Sequence, residues 1–166
     1  MRKALIALVV AMCATMGCTP DRAPGQPGQS LSAQSQAEAY FALLRALYTQ
    51  DDALNANATY LALDLSQARL SDTAPLEALV RDFCAEHGYT LLLDTMEGLE
   101  DKGYITDLYF ENGFVIGFVD VSLTDNELVT RANKWRSGLG AIGGEYTVTR
   151  GPTGWTITAV TSQWIS

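Results

Sequence analysis

Arg2 and Lys3 stand directly ahead of the apolar run ALIALVVAMCA at residues 4–14, and this leader constrains the chain more than any other stretch. The run is too short to cross a bilayer as a helix, which takes about 20 apolar residues. A basic start, a short apolar centre and small residues before a cut site are the layout of a secretory signal. Such a signal directs export and contributes nothing to the fold. Residues 19–36, TPDRAPGQPGQSLSAQSQ, carry no aromatic residue and are dense in Pro, Gly, Gln and Ser. A segment of that composition buries too little apolar surface to offset its ordering entropy, so it is expected to be a disordered tether. Its typical reach would be about 25 Å. The fold must therefore come from residues 37–166, about 130 residues, enough for one domain with its own core.

The leader ends in Thr15-Met16-Gly17-Cys18. This ending resembles the lipobox of bacterial lipoproteins, in which the cysteine becomes the acylated N-terminus. The resemblance implies a signal peptide at 1–17, a lipidated Cys18 (palmitate being one such acyl chain) opening the tether at 18–36, and a single domain at 37–166. It also implies a location at the cell membrane, held by the lipid and facing outside the cytoplasm. Acyl chains anchor a protein to a membrane without spanning it.

Cleavage would remove two positive charges from a chain whose formal net charge is already −8. An acidic surface disfavours nucleic acid and direct adhesion to anionic lipid, so the membrane contact would run through the anchor. Of the three cysteines, Cys13 leaves with the leader and Cys18 receives acyl groups, so Cys84 has no partner within the mature chain. The domain must stand on packing alone, without a disulfide framework.

Periodicity then outlines the elements. Tyr40, Leu43, Leu44 and Leu47 fall on one stripe and predict a helix over residues 37–50. Leu61, Leu63 and Leu65 alternate, predicting a strand over 59–65. Ser71, Asp72 and Thr73 offer a cap and Pro75 suits a first turn. The stripe Leu76, Leu79, Val80, Phe83, Cys84 and His87 then runs to a stop at Gly88. Residues 89–93 have strand length, and Asp94 with Glu97 reads as a capping box for a short helix ending at Gly103. Strand, helix, strand, helix suggests a βαβ unit with parallel strands.

The second half is richer in Thr, Val, Ile and Trp. Glu111-Asn112-Gly113 between the apolar runs 105–110 and 114–123 predicts a hairpin. Further strands are expected over 128–135, 145–150 and 155–165, the last two joined by Gly151-Pro152-Thr153-Gly154. Helices first and antiparallel strands later make the fold class α+β. The closing stretch GGEYTVTRGPTGWTIT resembles the last hairpin of NTF2-like domains, which would imply a curved sheet as an alternative arrangement.

Chemistry is sparse. Gly138, Gly140 and Gly143 spell G-x-G-x-x-G, but the motif runs into a strand pattern, with no acidic residue after Glu145, so it reads as a bulge or tight bend and not a dinucleotide site. Arg131, Lys134, Trp135 and Arg136 precede it, and this segment is the candidate surface for a protein partner or small anionic ligand. Lys134 and Arg136, two apart, should point the same way. Cys84 and His87 are within reach on a helix, yet their apolar stripe favours packing over a nucleophile. A single His excludes a site built on several imidazoles, and no cofactor or metal site is expected. Asp94, Glu97, Glu100, Asp101, Asp107 and Glu111 lack the spacing of a calcium loop and read as a solvated face. Trp155 is expected in the core, with Trp164 left open.

The expectation is a lipid-anchored binding module without catalysis. An envelope hydrolase using a carboxylate pair and a structural envelope component are the alternatives.

Overall fold

The computed structural model describes residues 31–166. Cys18, and with it the expected lipidation site, lies outside them. The described residues form an α+β fold: three α-helices and a six-stranded mixed sheet of order β2-β1-β3-β4-β5-β6.

Helix α1 spans Ala33–Thr49, capped by Ser32, whose Oγ accepts from Ser35 N at 3.2 Å. The helix starts four residues earlier than the sequence suggests, so residues 33–36 belong to it and not to a tether. Ser35 and Gln36 are buried, and the Gln36 amide oxygen accepts from Ser71 N at 2.8 Å, which fixes this first turn on the domain. The expected stripe is correct: Tyr40, Leu43, Leu44 and Leu47 are fully buried. Each such leucine stabilises the fold by about 1.5–3 kcal/mol.

Strand β1 (Tyr60–Gln67), helix α2 (Ala74–His87) and strand β2 (Thr90–Leu93) form the expected βαβ unit, with β1 and β2 parallel. Gly88 ends α2 at φ +78°, the left-handed conformation glycine adopts without a Cβ penalty. Helix α3 (Met96–Asp101) is capped by Thr95, not Asp94. Thr95 Oγ1 accepts from Gly98 N at 3.0 Å, while the Asp94 carboxylate takes Thr95 N and the Lys102 ammonium.

Strands β3 (Gly113–Leu123), β4 (Glu127–Ser137), β5 (Gly140–Gly151) and β6 (Gly154–Ile165) make an antiparallel meander. Strand β3 also lies parallel to β1. The hairpin expected at Asn112-Gly113 does not form. Residues 105–110 are not a long strand, and the tight turn sits at Asp107 and Leu108, both at positive φ between the bridged Thr106 and Tyr109. Asn112 instead presents its carbonyl to Thr59 N and Tyr60 N at 2.7 and 3.0 Å, which locks the start of β1. Gly113 is required because a Cβ there would lie 2.4–2.7 Å from the Phe110 ring.

The main core lies between α1, α2 and one sheet face, where Leu61, Leu63, Phe114, Ile116, Phe118, Leu128, Tyr146 and Val148 meet the helices. On the opposite face α3 and the loop after it cover only one end, packing Leu99, Ile105 and Phe110 on Ala62 and Val115. The rest of that face is open.

Candidate functional site

Side chains alternate across a strand, so β4 splits the expected cluster in two. Lys134 and Arg136 do share a side, but it is the side facing α1 and the turn after it. Lys134 is fully buried. Its ammonium donates to the carbonyls of Tyr48, Gln50 and Asp51 and to Asn55 Oδ1, the Tyr48 and Asp51 contacts measuring 3.2 and 2.9 Å. Arg136 donates to the carbonyls of Leu54, Ala56 and Glu111, the last at 2.7 Å. Both cations are thus committed to backbone oxygens, so the expected pairing of Lys134 and Arg136 around an anion is corrected. The motif glycines form no cradle either. Gly138 and Leu139 are the two-residue β4–β5 turn, Gly140 opens β5, and Gly143 lies within it.

Arg131 and Trp135 point the other way, into a groove of about 420 Å³ on the open sheet face. Its layout follows from register. One transverse row comprises Ala62, Val115, Trp135 and Ala141; the next, Asp64, Gly117, Asn133, Gly143 and Trp164; a third, Gln67, Val119, Arg131, Glu145 and Thr161. In the middle row glycine occupies the positions on either side of Asn133: Gly117 lowers the floor, and Gly143 makes room for the indole of Trp164. The two glycines are held by different neighbours. A Cβ on Gly143 would lie 2.6 Å from the Trp164 indole, which rests on that glycine, and a Cβ on Gly117 would lie 3.1 Å from Asn133 Oδ1. Trp135 and Met96 of α3 rise on one side, Arg131 and Glu145 on the other.

The groove holds both signs of charge, and among the described residues no ion pair joins Arg131 to Glu145. Asp64 Oδ1 accepts from Ser66 N and Oγ at 2.9 and 2.6 Å. Asp64 and Glu145 sit on β1 and β5 with two strands between them, so strand spacing sets their backbones about 15 Å apart.

Of the residues in these rows the sequence singles out Arg131, Trp135 and Gly143, but not Asp64, Gly117, Asn133 or Glu145, and it leaves Trp164 open. The available signal was a glycine inside each of two apolar strands, a mark of close approach.

The remaining chemistry is structural. Cys84 is 2 % exposed, and burial pushes its thiol up to about 11, with Arg81 pulling it down. His87 is exposed rather than on the buried stripe. Its ring stacks on Phe83 at 4.0 Å, and its Nδ1 lies 2.9 Å from the Phe83 carbonyl. Native Cys84 should alkylate at pH 7.5 about a hundredfold more slowly than in urea, as read by peptide mapping of iodoacetamide-treated protein. Equal rates would contradict the burial described here. Trp155 lies in the core as expected, donating to Ser35 Oγ at 3.2 Å.

Among the described residues no cluster of His, Cys, Asp and Glu is arranged to hold a metal, and no helix is long and apolar enough to cross a membrane. The fold and the groove define a small α+β domain with an open sheet-face site. No protein-family model matches the chain, and neither a curated protein nor a solved structure matches it. The resemblance of the closing hairpin to NTF2-like domains gains no support from them.

Proposed function

We propose that this protein is an exported, lipid-anchored binding module that holds a small polar ligand in the groove between Trp135 and Trp164. The leader and its lipobox-like ending support export and acylation at Cys18. The observation that carries the binding reading is the row Asp64, Gly117, Asn133, Gly143 and Trp164, in which Gly117 lowers the floor and Gly143 seats the Trp164 indole at its edge. Two indoles and several polar side chains converge there on a concavity of ordinary ligand-site size.

Two measurements test the reading. Intact mass of protein recovered from cells should match a chain that begins at acylated Cys18; a chain still beginning at Met1 and unmodified overturns the anchoring. For the groove, Asn133→Trp fills the middle of the trough from a half-buried position. A small-molecule fraction of the producing cells' envelope should raise the melting temperature of the unsubstituted protein by about 3 °C or more and leave the filled variant unchanged. No shift, or an equal shift in both, overturns the binding site.

A further inference from the structure

Resting on that reading of the groove, we infer that its ligand is a neutral sugar unit. An anion site needs surplus cations, and the two nearest candidates, Lys134 and Arg136, face the other side of the sheet. Arg131 alone remains, and Asp64 and Glu145 outweigh it in a chain that is acidic throughout. A cation site needs acceptors alone, yet the Asn133 amide and the Arg131 guanidinium supply donors in the same space. A purely apolar ligand would leave these polar groups desolvated and unpaired.

Donors and acceptors interleaved along a trough suit a ligand whose edge carries hydroxyls, since each hydroxyl both donates and accepts. The apolar part of the site has matching geometry. Trp164 closes the middle row and Trp135 borders the adjacent one. Indoles place flat apolar faces where the C–H face of a sugar ring can lie. A pyranose combines a C–H face with a hydroxyl rim, the two surfaces presented here. Gly117 keeps the floor low beside Asn133, while the space above Gly143 is taken by the Trp164 indole, whose position there puts an apolar ring at the wall of the groove.

The test uses the full chain in a sugar-free detergent and reads tryptophan emission. Trp135 and Trp164 line the groove, whereas Trp155 is buried against Ser35 on the helix side. Cellobiose, maltose, lactose and N,N′-diacetylchitobiose serve as probes, with Nile red as an apolar probe of the same groove. At least one sugar should change the emission saturably. Asn133→Ala should weaken that binding about tenfold, the effect of one lost hydrogen bond. Trp164→Ala, at a position 45 % exposed and therefore tolerant of substitution, should abolish it. If no sugar binds while Nile red does so in a Trp164-dependent way, the sugar assignment falls and the groove stands. If neither binds, both fall.

Discussion

Lys134→Met is expected to destabilise the domain by about 3–5 kcal/mol, because it removes a fully buried ammonium that donates to four half-buried oxygens at once. The Tyr48 and Gln50 carbonyls are C-terminal groups of α1 without helical partners, Tyr48 also accepting from Asn55 Nδ2 at 2.9 Å, and the Asp51 carbonyl and Asn55 belong to the turn that follows. A helix end leaves its last carbonyls without intrahelical partners, and one ammonium from β4 gathers them. Methionine fills the same volume but donates nothing. The melting temperature should fall on the order of 10–20 °C. A loss under about 1 kcal/mol in urea titration would show that this cation is not what holds the end of α1 to the sheet.

The same group gives a pH signature. Burial pushes the Lys134 ammonium down to about 8 from 10.5, while Asp51 and Asp52 pull it up. The unfolded chain keeps its proton up to the ordinary lysine value, so between about pH 8 and 10.5 the unfolded state binds more protons. Stability from this group therefore rises with pH across that window, and the rise should vanish in Lys134→Met.

What the sequence disclosed follows the range of the interactions. The α1 stripe and the βαβ unit are written in periods of a few residues and appeared where the pattern placed them, as did the later strands of the meander, except that β5 begins five residues earlier, at Gly140. Lys134 carries no such mark. Its acceptors lie 79 to 86 positions away, and a lysine on a strand reads as solvated until the helix above it is known. The groove is harder still, because Asp64, Asn133 and Trp164 become neighbours only once five strands are in register, bulges included. Asn112-Gly113 misled for a different reason. The glycine there makes room for the Phe110 ring and does not turn the chain.

Tyr40 and Asp120 are expected to be energetically coupled by about 1.5–3 kcal/mol, the second large effect. Both are buried, and Asp120 Oδ2 accepts from the Tyr40 hydroxyl and from Arg69 N, the latter at 2.6 Å; Oδ1 has no partner among the described residues. Tyr40→Phe alone leaves a buried carboxylate held by a single amide, and Asp120→Ala alone leaves a buried hydroxyl and an amide unpaired. Each single substitution should therefore cost more than its share of the double one. Burial, and next the hydrogen bond to Asp120, push the Tyr40 phenol up beyond the tyrosine range. It stays protonated in the fold while the unfolded phenol ionises near pH 10, so its contribution is complete below that pH and is lost above it, opposite in sign to Lys134. These contacts share a purpose. Asp120 of β3, Lys134 of β4, Tyr146 of β5 (to Gln50 at 3.1 Å) and Trp155 of β6 each reach α1 or the residues just beyond it through a polar atom. Apolar packing alone would tolerate sliding of α1 along the meander, whereas four directional contacts fix one position. Additive losses in the Tyr40 and Asp120 double-mutant cycle, within about 0.5 kcal/mol, would show that this contact is not one of the pins that set where the helix lies.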